Sequence, residues 1–316
     1  MGRRAGPDLT GDHTIDVDST VCQTYGIAKQ GARLGYTGVR GYHPLLATLA
    51  ATGEVLHARM RGGNAGSARG AGTFIRETIR RVRDAGVTGA LTIRADSAFY
   101  SRAFVRACRA HDARFSVTVK QSKAIRAAIA AIPADAWTPI PYWLEGGADV
   151  AETTYTAFKD TKDAVELRLI VRRVRPTPGS QLALDVVFDY HPFLTDRPGD
   201  MLTVEADHRA HARVELDIRD LKAGGLAHIP SGVFFANAAW LALAVLAHNL
   251  GRWTLHAAGG RWADATVETL RTKLVAMPAR VIRSARTIKL RFPRTWPWRD
   301  AYDAALTTIQ AIPSPT

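Results

Sequence analysis

The sequence predicts an α/β fold: a mixed five-stranded sheet flanked by helices and interrupted by a β-rich insertion. Three observations predict it. Three strand-like runs joined by short turns come first, which favours antiparallel neighbours. Strand and helix patterns then alternate, which favours parallel pairing through helical crossovers. Short strand-like runs punctuated by proline follow, before helices return.

Taken in order, "TIDVDSTVCQTY" (14–25) reads as the first strand, with Ile15 and Val17 facing one way and Asp16 and Asp18 the other. The stretch from Gly35 to Met60 divides at the "ATGE" turn (51–54) into two more strands. The glycine-rich "RGGNAGSARG" (61–70) is a loop leading into a helix that runs to about Arg83. Next come a strand ending at Asp96, a helix near 101–111, the strand "RFSVTVK" (114–120) and the helix "SKAIRAAIAAI". Prolines at 133, 139, 141, 176, 178, 192 and 198 then separate runs such as "VELRLIVRRV" and "LALDVVFDY". Helices return from Thr203 to Leu221 and from Val233 to Leu255. The expected organisation is a first core part over 1–132, an insertion over 133–200, and a second core part with a basic C-terminal segment over 201–316.

Composition narrows the function classes. The chain is 47% hydrophobic and 22% charged, as a globular protein is. Its net charge of +13 attracts polyanions, of which nucleic acid is the commonest in a cell. Two cysteines, Cys22 and Cys108, exclude a disulfide framework and a cysteine-rich zinc module. The N-terminus carries no signal-peptide core, and "AAWLALAVLA" (238–247) is short for a membrane span and is followed at once by His248, Asn249 and Arg252. A buried helix, no membrane partner and a cytoplasmic, nucleoid-associated protein are expected.

Asp96 ends a core strand, where a turn or helix cap is the ordinary role of an aspartate. Its neighbours in the expected fold change the reading. The strands of Asp18 and Asp96 are adjacent in a mixed sheet of this order, and Glu215 sits on a helix packed against it. Three crowded carboxylates repel one another, and a divalent cation resolves that conflict; Mg²⁺ suits oxygen ligands. Read as one helix, "HRAHARVELDIRDLK" (208–222) places His208, His211, Glu215 and Lys222 within about 60° of one another, beside an apolar stripe of Val214, Ile218 and Leu221. A rival reading has His208 and His211 ligating zinc with Glu215, although no HExxH pattern is present. The segment 271–299 carries nine Lys or Arg and no acid. Within it Ile288, Leu290 and Phe292 are expected to face a core while Lys289 and Arg291 face outward, toward a phosphate backbone or simply solvent.

In their order and spacing, "DVDSTVCQTYG", "GYTGVRGYHPLL", "RGGNAGS", "IRADSAFYS", "HRAHARVELDIRDLK" and "LRFPRTWPW" resemble a DDE-type insertion-sequence transposase, of the IS thirteen-eighty group allied to the IS-four superfamily. The resemblance spans nearly all of 14–300 and implies an RNase H-like core. It implies Asp18 (with Asp16 as the alternative), Asp96 and Glu215 as catalytic and metal-binding residues, with Mg²⁺ as cofactor and Mn²⁺ as its substitute. It implies metal-dependent cleavage at element ends followed by strand transfer into target DNA. Lys222 matches the lysine of the superfamily signature and would hold a phosphate, while His208 and His211 stand where Tyr and Arg would be, able to contact DNA. Arg94 neighbours the scissile strand or pairs with Asp96, and the insertion contacts DNA ends or hairpins. Double-stranded DNA and a second copy of the chain are the implied partners. Relatives carry a helical DNA-binding region ahead of the first strand, where only about fourteen residues stand here. The alternatives are a nuclease of the same fold that cuts without joining, and a DNA-binding remnant without catalysis.

Overall fold

Alternating apolar residues in short runs build strands here, and capped amphipathic runs build the helices between them. A computed structural model describes residues 9–175 and 188–313. Its strands are β1 (His13–Ser19), β2 (Cys22–Gln23), β3 (Arg33–Leu34), β4 (Arg40–Tyr42), β5 (Leu45–Leu49), β6 (Val55–Arg59), β7 (Leu91–Ala95), β8 (Ala113–Thr118), β9 (Thr138–Ile140), β10 (Ala148–Ala157), β11 (Val165–Val174), β12 (Asp189–Thr195), β13 (Arg280–Ser284) and β14 (Thr287–Arg291). Its helices are α1 (Ala71–Asp84), α2 (Arg102–Ala110), α3 (Lys123–Ala130), α4 (Met201–Arg209), α5 (Arg213–Leu221), α6 (Phe234–Ala258), α7 (Val267–Leu270) and α8 (Arg299–Gln310). Ser101, Ser122 and Asp200 cap α2, α3 and α4 by accepting from the backbone N–H three residues on. Of the run "LALDVVFDY", residues 182–187 lie outside the described residues.

The expected mixed five-stranded sheet is present in the order β6-β5-β1-β7-β8. β1 pairs antiparallel with β5 and parallel with β7, and β7 pairs parallel with β8. The insertion does not build a sheet of its own. β12 pairs with β8, and β11, β10 and β9 follow, so that one sheet of nine strands runs through both parts.

Alternation along the strands sorts side chains to two faces. Ile15, Val17, Leu45, Ala47, Phe115 and Val117 join α1 and α2 residues such as Phe74, Ile79, Phe104 and Cys108 in one core. On the opposite face Leu46 packs with Val214, Ile218 and Leu221 of α5 and Leu241 of α6, while Phe193 and Ile170 pack with Val204 of α4. Asp16, Asp18 and Arg94 occupy alternate positions and therefore lie on the second face.

Three local expectations are corrected. The helix read from Thr203 to Leu221 is broken by a 3₁₀ turn, Ala210–Ala212, between α4 and α5. α6 is buried on one side only: Leu243, Leu246, Leu250 and Trp253 are exposed. By length and composition α6 could cross a membrane. Its polar groups instead dock it on the sheet edge, where Asn249 bonds both N–H and C=O of Val55 at 2.9 Å and Arg252 donates to Thr52 O at 2.9 Å. Finally, Ile288 and Leu290 do not reach a core. Among the described residues β14 pairs only with β13, and both residues are exposed, while Phe292 packs on Tyr302 with ring centroids 5.4 Å apart.

Candidate active site

The register of two parallel strands builds the site. Asp16 stands opposite Arg94 and Val17 opposite Ala95, so the ladder carries Asp18 to the side of Asp96 where both strands end. Asp96 also does ordinary turn chemistry, its Oδ1 accepting from Ala98 N–H at 3.0 Å. Glu215 lies exposed in the first turn of α5, the helix packed over β1. Burial, together with the charges of Asp96 and Glu215, pushes the Asp18 carboxyl up to about 6, against a lowering hydrogen bond from Ser19 N–H. Burial likewise raises Asp96, against the opposing pull of the Ala98 N–H and the His211 charge.

Asp16 is occupied differently. It is 1% exposed, and Arg94, itself 2% exposed, donates Nε to its Oδ1 and Nη2 to its Oδ2, both at 2.8 Å. His211 Nδ1 adds a bond to Oδ1 at 2.7 Å. Burial pushes this carboxyl up, but the bonds and charges of His211 and Arg94 outweigh it and hold Asp16 below the usual range. With its oxygens spent on the Arg94 guanidinium and the His211 ring, Asp16 is a clamp, and Asp18 is the acid left at the strand end.

Arg94 is correspondingly a buried internal cation. Its partner is Asp16 rather than Asp96, and its Nη1 continues to the carbonyl and carboxylate of Asp207. That burial leaves it no face for a DNA strand.

The helix break separates the two histidines. His208, at the end of α4, stacks on Phe193 at 4.0 Å and lies between Ser116 Oγ at 2.7 Å and Thr118 Oγ1 at 3.0 Å. Burial and the positive charges of His211, Arg94, Arg172 and Arg197 push it well below the usual histidine range, so it is a neutral ring at pH 7. His211 reaches Asp16 instead. The zinc arrangement of His208 and His211 with Glu215 is thus not formed. Lys222 begins a π-helical turn and donates Nζ to Val21 O at 3.0 Å, beside the end of β1. Lys289 and Arg291 are exposed and border a cavity of about 400 Å³ between the β13–β14 hairpin and α8.

Among the described residues, no three His, Cys, Asp or Glu are already gathered as a metal-binding group. The donor chemistry around the strand ends nevertheless fits a hard divalent cation: Asp18, Asp96 and Glu215 offer carboxylate oxygens, and the first two are raised chiefly by burial. Sequence reasoning missed Asp207, which bridges Arg94 and Arg197, and missed Ser116 and Thr118 as seats for His208. Polar Ser116 and Thr118 alternating with Phe115 and Val117 was the available signal.

No curated protein matches the chain. A solved piggyBac transposase synaptic complex with hairpin DNA is similar at 11% identity and a TM-score of 0.43, over 75% of this chain and 46% of that one. The chain therefore spans less than half the length of that transposase. Residues 10–314 match the model of the family described as Transposase DDE domain group 1, and the chain belongs to that family.

Proposed function

We propose that this chain is a DNA transposase of the IS thirteen-eighty group that cleaves insertion-sequence ends and joins them to target DNA, using Asp18, Asp96 and Glu215. The observation that carries the reading is the Asp18 carboxyl, raised by burial and by the charges of Asp96 at a strand end and Glu215 on α5, in a chain of a DDE family. Those three acids would hold Mg²⁺, or Mn²⁺ in its place, which supplies charge neutralisation, a more acidic water and a stabilised leaving oxygen.

The chain's own groups do the rest. The Asp16–Arg94–His211 knot holds β1 and β7 in register beneath the acids. Lys222, fixed on Val21 O, places a point charge where a backbone phosphate leaves the site. Lys289 and Arg291 add an exposed basic strand for phosphate contacts. Double-stranded DNA is the substrate, a homodimer acting in the cytoplasm at the nucleoid brings two ends together, and the β9–β12 insertion contacts them.

The test is incubation of the protein with labelled DNA carrying the ends of its flanking element, in Mg²⁺ or EDTA, beside Glu215→Gln. Metal-dependent nicking and joining that vanish in the variant are expected. Retention of DNA without cutting in Mg²⁺ or Mn²⁺ would overturn the reading, and cutting without joining would reduce it to a nuclease.

A further inference from the structure

Between Asp18 and Glu54 the chain carries Lys29, Arg33 and Arg40 and no acid. The fold turns this stretch into a small sheet, in the order β2-β4-β3, that begins four residues beyond Asp18. Cys22 and Tyr42 point inward and pack with Val214, Ile218 and Leu221 of α5, the helix that carries Glu215. The small sheet is thereby fixed relative to the acids.

The glycine-rich loop backs it. A Cβ on Gly63 would lie 2.2 Å from Gly41 O and 2.4 Å from Arg33 O, so only glycine lets the loop lie flat on the sheet. Arg61 holds the loop's shape, donating Nε to His43 O at 2.9 Å and Nη1 to Gly66 O at 2.9 Å and Arg69 O at 2.8 Å. Ser67 Oγ then meets Ser19 Oγ at 2.8 Å, one residue past Asp18. Sheet and loop form one rigid surface continuous with the strand end.

What that surface presents is unusual for solvent. Tyr25 is 83% exposed and Tyr36 81%, and Ile27 and Leu34 are exposed as well. Large exposed aromatics among cations, without an acid, match one kind of polymer: phosphate for the cations and base faces for the rings. A paired duplex hides its base faces in the stack, so the rings are matched only by unpaired nucleotides.

We propose that Tyr25 and Tyr36, with Arg33 exposed on the same small sheet, form a platform on which unpaired bases of the DNA strand next to the scissile phosphate stack. The proposal rests on the reading of the chain as a DNA-processing enzyme, and it adds a preference: this protein favours ends that are frayed or melted over fully paired ones.

The test uses the full chain in EDTA, so that no DNA is cut, and fluorescence anisotropy with two labelled DNAs: a duplex, and the same duplex with a short unpaired end carrying 2-aminopurine. The double variant Tyr25→Ala/Tyr36→Ala is expected to weaken the unpaired-end DNA by about 30-fold or more, from roughly 1–3 kcal/mol for each of two stacked bases, and the duplex by less than about twofold. The 2-aminopurine quenching seen with the wild type disappears, and Tyr25→Phe/Tyr36→Phe restores both signals. Arg33→Ala weakens both DNAs alike and lowers the salt dependence. Both tyrosines are exposed, so truncating them leaves the core intact. The platform is overturned if the double Ala variant binds both DNAs as the wild type does, or loses both equally. Wild-type protein that binds neither DNA overturns the DNA reading itself, and the platform with it.

Discussion

Asp16 and Arg94 are register partners on adjacent parallel strands and close a two-bonded ion pair, both bonds at 2.8 Å, with neither residue more than 2% exposed. The pair ties β1 to β7, and through His211 and Asp207 it ties both strands to the turn between α4 and α5. Asp18 and Asp96 lie at the next same-face position along each strand. Removing one partner strands a buried charge, so Asp16→Asn is expected to lower stability by about 3–5 kcal/mol in urea unfolding. Asp16→Leu with Arg94→Met should be less damaging than either single change, because no charge is left unpaired. An additive double variant would show that the pair is not acting as a unit.

A cation bound beside Asp18 and Asp96 should favour the charged form of Asp18, which burial and the charges of Asp96 and Glu215 raise to about 6. Mg²⁺ is therefore expected to raise the melting temperature at pH 7.5, by roughly 3–6 °C near saturation, and to do so much less at pH 5, where Asp18 is largely protonated. Asp18→Asn should lose most of the shift at pH 7.5. An equal Mg²⁺ shift in wild type and variant would place the bound cation elsewhere.

His57 gives a pH dependence on the other side of the sheet. It stacks on Phe74 at 4.2 Å, and Nδ1 meets Thr78 Oγ1 at 2.8 Å. Burial and the charges of Arg81 and Arg59 push it down to about 4. The unfolded chain therefore takes up this proton first, and the stability of the neutral ring, full above pH 6.5, is lost as pH falls toward 4. His57→Gln cannot titrate. Its stability should fall less than the wild type's between pH 7 and pH 4.5, by roughly 1–3 kcal/mol. Parallel pH profiles for the two proteins would remove His57 from the acid response.

Arg61 organises the loop beside the strand end through the carbonyls of His43, Gly66, Ser67 and Arg69 and is lowered to about 10 by burial and by Arg59 and Arg69. Arg61→Ala is expected to destabilise by about 2–4 kcal/mol and to speed amide exchange across 62–70, because those carbonyls lose their donor. Exchange confined to its wild-type rates would show that the glycines hold the loop unaided.

The sequence by itself determined the main strands, most of the helices and which residues of a strand share a face, because these depend on periods of 2 and 3.6 residues and on neighbours a few positions away. It determined that Asp16 and Asp18 share a face, and for the same reason it could not separate them. Tertiary structure decided that: the β1–β7 register set Arg94 against Asp16, seventy-eight positions away in sequence, and left Asp18 at the strand end. It also parted His208 from His211. A helical period carries residues to one stripe only while the backbone stays α-helical, and the 3₁₀ turn at 210–212 sends one ring to Ser116 and the other to Asp16. The same limit explains the insertion joining the main sheet through β12 and β8, and the exposure of Ile288 and Leu290. Alternation says which side chains share a face, but what covers that face is set by long-range pairing that no local pattern encodes.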